Sequence, residues 1–393
     1  MDTVSTREWT EIKSYFDKTF LMLSEQAEIV TGPMQVGLDV TNRCMMRCLH
    51  CFNRSKSLKR DEMDDRQVLH AFDEIIRIKP QQMCICGGEP LMRLETVMKG
   101  ARKVKKAGIQ LGMVSNGYLF NRQVAEKCKE IGFDQIQISL DGFRDSHERL
   151  RGTKGAFDRA VSAIKFLSAT GVKVLTSFTP TNFNIGEFEH YSDFARSIGV
   201  CEIRIQPLML MGEAFFNTDV FPTESQYQEL VRMIKQINFN NICQPKNDLV
   251  EINQIRSSKS DNFHIMWGDP VDHIIRFSGH MSKPTFSFQI YSTGKIGVSP
   301  YFPVTVGDIN RHGLKEYWEA GLNKIWETEL IQECAIRIRG IETLGNALPP
   351  VYFSDGINID IIDDSPAEIR QKTKAFLGLF QGYNPTSSSE GLV

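Results

Sequence analysis

Between about residue 35 and about residue 207 the chain alternates short apolar runs with longer amphipathic segments. The short runs are QVGLDVT, QQMCIC, IQLGMVSN, DQIQISLDG, VKVLTSFTP and CEIRIQPL. Each is nearly continuous in apolar residues, the pattern of a buried parallel strand. Between them, segments such as DRQVLHAFDEIIRIK, LETVMKGARKVKKAG and AFDRAVSAIKFLSATG repeat apolar positions at helical spacing. Gly108, Gly132, Gly171 and Gly199 close several of these segments, the usual residue just past a helix C-terminus. Six β–α units of this kind predict an α/β fold, either a partial (β/α)6 barrel or a doubly wound sheet. In both topologies ligands sit on loops that follow the strand C-termini.

After about residue 212 the pattern changes. PTESQYQELVRMIKQIN reads as a helix. TFSFQIYSTGKIGVSP reads as two strands joined by a turn at Gly294, and LKEYWEAGLNKIWETELIQECA as a helix broken near Gly321. These elements predict a smaller α/β appendage. The expected division is a lead-in at 1–33, a main domain at 34–215, the appendage at 216–380 and a disordered tail at 381–393.

The chain has 393 residues, a formal net charge of −2, 41% hydrophobic and 24% charged residues. That length suits one large domain plus a smaller one. The near-neutral balance argues against nucleic acid held mainly through phosphates. No apolar run is long enough to span a bilayer, and the N-terminal MDTVSTREWTEIKSYFDKTF is too polar for a secretory signal. Nine cysteines in a chain too large to need disulfide staples point to the cytoplasm, where thiols can bind metal.

Three of those cysteines, Cys44, Cys48 and Cys51, fall within TNRCMMRCLHC, directly after the first predicted strand. A loop with C-x3-C-x2-C spacing can give one thiolate to each of three irons of a cubane cluster. The fourth iron is then open to an external ligand. The alternative is a zinc knuckle with His50 as fourth ligand, but His50 adjoins Cys51 and crowds the tetrahedron.

GLDVTNRCMMRCLHC resembles the cluster loop of the radical S-adenosylmethionine (SAM) superfamily. Further resemblances follow in family order. CGGEP, Cys86 to Pro90, is similar to the Gly-Gly-Glu-Pro motif, and SNG, Ser115 to Gly117, to the ribose-contacting loop. QISLDG with HERLRG resembles the fourth-strand signature, and RIQPLMLMG the end of the sixth strand. The resemblance implies one [4Fe-4S] cluster on Cys44, Cys48 and Cys51. It also implies SAM held by Gly87, Gly88, Glu89, Ser115, Asn116, Ser139 and Arg151, with Arg151 gripping the carboxylate. Reductive cleavage of SAM would give a 5′-deoxyadenosyl radical that abstracts hydrogen from carbon, with a flavodoxin- or ferredoxin-type protein as reductant. Asp141 is expected to cap the turn at Gly142. Cys84 and Cys86 are expected to be core thiols, and Cys128, Cys201 and Cys243 to be structural. No catalytic acid, base or radical quencher stands out.

The appendage resembles the SPASM/twitch extension of that superfamily, but Tyr301 stands where relatives carry a cysteine before the turn at Gly307 and Asp308. No cysteine lies between Cys243 and Cys334, and a lone Cys334 cannot hold a cluster. The appendage is therefore expected to keep its fold without auxiliary clusters, and Tyr301 to form a pocket wall. Such an enzyme suits redox-neutral outcomes better than two-electron oxidation. Trp267, Asp269, His273 and Arg276 are candidate pocket residues, with ordinary packing the competing reading.

Three functions fit these residues. The first is modification of a ribosomally made peptide by crosslinking, epimerisation or excision. The second is action on a sugar, aminocyclitol or nucleoside. The third is a cluster-bearing regulator without turnover. About thirty residues precede the first strand, too few for the peptide-binding module that many peptide-modifying relatives carry.

Anaerobically reconstituted protein is predicted to hold about four irons per chain. Alanine at Cys44, Cys48 or Cys51 should abolish both the brown colour and SAM cleavage, and alanine at Cys334 should leave the iron content unchanged. An iron analysis near eight would overturn the expectation of an empty appendage.

Overall fold

The structure is a computed structural model that describes residues 32–55, 61–209, 211–242, 263–268, 287–302, 304–328, 331 and 357–378. The expected strand–helix alternation is present. Strands β1 (Gln35–Asp39), β2 (Gln82–Cys86), β3 (Gln110–Ser115), β4 (Gln135–Ser139), β5 (Lys173–Phe178) and β6 (Glu202–Ile205) are each followed by helical chain. The helices are α1 (Asp65–Arg77), α2 (Leu94–Lys106), α3 (Arg122–Ile131), α4 (Arg144–Arg151), α5 (Ala156–Thr170), α6 (Phe188–Ser197) and α7 (Glu224–Ile242). All six strands run parallel in sequential order, the arc of a partial (β/α)6 barrel.

Local chemistry explains the boundaries. Asp64 caps α1 in a reciprocal capping box with Gln67. Gly132 ends α3 in the left-handed conformation, at φ 89° and ψ 39°. Between α1 and α2 the fit is tight: a Cβ on Gly100 would overlap the Phe72 ring.

The sheet does not stop at β6. Strand β7 (His264–Trp267) adds to it in parallel, and β8 (Ser287–Ile290) pairs in parallel with β1 on the other edge. From β8 the predicted hairpin turns at Gly294 into β9 (Lys295–Gly297), then antiparallel β10 (Val304–Asp308), then short β11 (Ile357–Asn358). The appendage strands therefore extend the main sheet. Helix α8 (Leu314–Ala320) ends at Gly321 as expected, and α9 (Pro366–Gly378) follows β11. The Tyr317 ring covers Gly307, and its hydroxyl joins Asp308 N at 3.0 Å and Asp360 at 2.9 Å.

One face of the β1–β6 arc is apolar and packs on the helices. Val36, Leu38, Met83, Ile85, Ile136, Ile138 and Ile203 are fully buried there. The opposite, inner face carries the alternate residues, among them Asp39, Cys84, Cys86, Gln137 and Arg204. Near-continuous apolar strands were expected; most of the inner positions are polar because that face lines the barrel interior. Cys243, Asp269, His273, Arg276, Cys334 and the tail lie outside the described residues.

Candidate radical SAM site

The loop after β1 is clamped by backbone from three distant segments. Val40 N continues the ladder to Cys86 O at 3.1 Å, and Gly88 N and Glu89 N donate to Thr41 O and Arg43 O, both at 2.8 Å. Arg47 N and Leu49 N donate to Arg151 O and Leu150 O at 3.2 and 2.9 Å, and Glu213 N donates to Cys51 O at 2.9 Å. Each segment brings a glycine. A Cβ on Gly88 would overlap Arg43 O, one on Gly152 would overlap Arg47 O, and one on Gly212 would overlap Cys51 O and Phe52 O. Gly87 likewise abuts Thr41 O at φ 134°. These motif glycines admit the cysteine loop itself, whereas the sequence suggested close approach to a ligand.

The thiols are met by donors. Met46 N lies 3.5 Å from Cys44 Sγ, Asn116 Nδ2 3.6 Å from the same sulfur, Ser55 N 3.4 Å from Cys51 Sγ, and Arg151 Nη1 3.9 Å from Cys48 Sγ. Burial nevertheless pushes the Cys44 thiol up, and the Cys48 thiol up to about 12. A cationic metal centre is what would hold both as thiolates. Among the described residues no three donors converge on a single ion position. The donor set and the N–H groups aimed at sulfur thus fit a cubane cluster on Cys44, Cys48 and Cys51.

Around this loop the predicted SAM residues form one connected frame. The Glu89 carboxylate is fully buried and accepts from Ser115 Oγ at 2.9 Å, Asn116 N at 2.9 Å and Leu91 N at 3.1 Å. Burial pushes its carboxyl up to about 7. Its side chain therefore braces the SNG loop, a role the sequence did not suggest. Ser115 Oγ also accepts from Gly117 N at 3.0 Å, and Asn116 Oδ1 accepts from Tyr118 N at 2.9 Å. Ser139 ends β4 opposite Ser177 of β5, on the same rim.

Asp141 departs from expectation. It does not cap the Gly142 turn but accepts from Arg151 Nε at 2.7 Å and Thr179 N at 2.9 Å in full burial. Burial alone would raise its carboxyl, yet the Arg151 guanidinium holds it well below the usual carboxylate range. His147 Nδ1 lies 3.1 Å from Asp141 N and 3.4 Å from the Asp141 carboxylate. The pair fixes Arg151 beside Cys48.

Cys84 and Cys86 also depart from expectation. They are half-buried on the inner face of β2, with Cys86 Sγ donating to Cys84 Sγ at 3.3 Å. The alternation Gln82, Cys84, Cys86 was the signal available in sequence. Cys128 is fully buried as expected, and Cys201 Sγ donates to Val174 O at 3.1 Å. Tyr301 packs on Phe52 of the cysteine loop, ring centroids 5.7 Å apart. Trp267 packs edge-on against Tyr227, centroids 6.3 Å apart.

A parallel arc with a three-cysteine loop at its rim defines a class, and comparison with known proteins gives the family. Residues 38–195 match the radical SAM superfamily. That span is a radical SAM domain, of a family that binds a [4Fe-4S] cluster and SAM, and the chain's relatives include SPASM/twitch-type enzymes. It is 25% identical over 308 residues to an AdoMet-dependent heme synthase of Methanosarcina barkeri, covering 74% of this chain and 83% of that one. It is 25% identical over 210 residues to a PqqA peptide cyclase of Ruegeria pomeroyi, covering 53% and 56%. The chain thus spans little more than half of that cyclase. Native anSMEcpe with bound AdoMet shares the fold at a TM-score of 0.57 and 14% identity, over 88% of this chain and 97% of that one. Among the described residues no helix is long and apolar enough to cross a membrane.

Alanine at Asp141 would leave Arg151 buried without its counter-ion, and we expect a loss of about 3–5 kcal/mol. Urea denaturation of the metal-free protein measures it. Asp141→Asn keeps an acceptor for Thr179 N and should lose less; an unchanged midpoint in Asp141→Ala would show that the pair does not hold the rim together.

Proposed function

We propose that the enzyme abstracts a hydrogen atom from carbon in a peptide substrate and that the overall change is redox-neutral. The chemistry comes from SAM and the reduced cluster, which when bound supply a 5′-deoxyadenosyl radical. The chain's residues hold and aim these groups. In this reading Cys44, Cys48 and Cys51 carry the cluster. Gly87 and Gly88 seat the cysteine loop, and by the family resemblance their backbone edge also takes the SAM amino group, while Ser115, Asn116 and Ser139 line the rim. Glu89 acts as the brace behind that rim, and Arg151 takes the SAM carboxylate. A flavodoxin- or ferredoxin-type protein delivers the electron.

One observation carries the choice of a peptide. Basic side chains on the inner face are already matched to carboxylates. Arg204 Nε lies 2.5 Å from Glu202, which also receives His264 at 3.2 Å and Lys173 at 3.4 Å. These partners outweigh burial and hold the Glu202 carboxyl down at about 2. Beside them stand the side-chain amides of Gln137 and Gln289, the latter donating to Asp39 at 2.8 Å. Lys173, Glu202 and His264 open their strands and line the far end of the interior, while Arg204, Gln137, Gln289 and Asp39 offer paired donors and acceptors suited to amides. Similarity to a PqqA peptide cyclase supports the same reading. The heme synthase similarity, over a larger share of both chains, favours a porphyrin as the second reading. The sugar or nucleoside reading has no observation of its own.

Two measurements test this. Arginine-to-alanine substitution at Arg151 should weaken SAM binding by about 1.5–3 kcal/mol, the range for a hydrogen bond to a charged group; unchanged affinity in calorimetry would reassign the carboxylate. Formation of 5′-deoxyadenosine by the reconstituted enzyme should rise with the short precursor peptide encoded nearest its gene and not with an iron porphyrin. The reverse result would replace the peptide with a porphyrin.

A further inference from the structure

Strand β2 puts two thiols where no packing role explains them. Cys84 and Cys86 alternate with the fully buried Met83 and Ile85, so they face the barrel interior and keep partial exposure. Their sulfurs are 3.3 Å apart with Cys86 as donor. Cys86 ends the strand, one residue before Gly87 at the proposed SAM edge, and Cys84 lies deeper. Asp39 pairs in register with Cys86 across β1. The hydrogen bond from Cys86 favours the Cys84 thiolate, and the same contact keeps the Cys86 proton in place. Tyr301 feels both sulfurs electrostatically while its ring packs on Phe52 of the cysteine loop. The pair thus lies between that loop and the interior.

We propose that Cys86 returns a hydrogen atom to the substrate radical and that Cys84 resolves the sulfur radical left behind. This rests on the reading of the chain as a hydrogen-abstracting enzyme and deepens it toward epimerisation, in which hydrogen leaves one face of a carbon and returns to the other. The S–H bond of Cys86 breaks and a C–H bond forms, a favourable exchange because S–H is the weaker bond. The Cys86 sulfur radical joins the Cys84 thiolate as a disulfide radical anion. One electron then passes to an external one-electron acceptor of the flavodoxin or ferredoxin type, leaving a Cys84–Cys86 disulfide. A reducing dithiol restores both thiols by exchange.

Two readouts test the pair, and neither needs the substrate. In the first, metal-free protein is equilibrated with glutathione redox buffers and digested. The peptide containing both cysteines should be lighter by two hydrogens under oxidising conditions and should recover on reduction. Cys84→Ser and Cys86→Ser should each abolish the change. In the second, reconstituted enzyme turns over SAM in D2O with titanium(III) citrate as the thiol-free reductant. Wild type should place one deuterium in 5′-deoxyadenosine, because Cys86 carries the exchangeable S–D at the rim end of the strand. Cys84→Ser should keep that label, and Cys86→Ser should lose it while still forming 5′-deoxyadenosine. Failure to form the disulfide, or a label that survives in Cys86→Ser, would overturn the proposal. Absence of 5′-deoxyadenosine from wild type would instead overturn the hydrogen-abstracting reading, while the disulfide readout would still decide whether the two thiols form a redox pair.

Discussion

Everything at this rim depends on how closely the backbone of the cysteine loop can approach its neighbours. Loops are hard to bury because their amides and carbonyls need partners. Here the partners come from β2, from the end of α4 and from the chain after β6, through Gly88, Arg151 and Glu213. The contacts close only where Cβ atoms are missing, at Gly88, Gly152 and Gly212. Three motifs separated by many residues are therefore one device. Each gives a glycine for clearance and a backbone group for a hydrogen bond. The loop's shape is then set by the barrel, which holds the three cysteines at its rim.

Buried charge follows from that placement. Arg151 must stand beside Cys48 at the rim, where water is scarce and an unpaired guanidinium would be costly. Asp141 resolves this by meeting it at 2.7 Å, while Thr179 N occupies the other carboxylate oxygen. Glu89 solves the same problem differently. It has no cation, so three neutral donors hold it, and its carboxyl rises toward neutrality. One buried acid is fixed in its charged form and the other is left close to titrating, and the difference is a single arginine.

Much of this was legible in the sequence because the signals are local. Strand and helix runs, their terminal glycines, the C-x3-C-x2-C spacing and the motif order each occupy a few adjacent residues. What escaped depends on distance in sequence. Asp141 looked like a turn residue because its partner lies ten residues on, across a turn. Glu89 looked like a ligand contact because Ser115 and Asn116, which consume it, arrive on the next strand. Cys84 and Cys86 looked like core because the strand around them is apolar, yet a partial barrel has two faces and only one of them meets helices.

The inner face gives a physical basis for the redox-neutral outcome we propose. Oxidising a substrate radical requires a nearby acceptor, and the position beside the cysteine loop is filled by Tyr301, whose buried hydroxyl is pushed up to about 12 and keeps its proton. A neutral phenol packed on Phe52 closes the space without offering a metal ligand or a charge. Reduction of the radical by hydrogen return has a candidate donor within the same wall, in the thiol pair on β2. The appendage thus continues the sheet through β8 and brings up an aromatic side chain at the rim. In the proposed reaction the direction of the chemistry follows from the groups that border the interior, an aromatic side chain at the rim and an S–H donor near it.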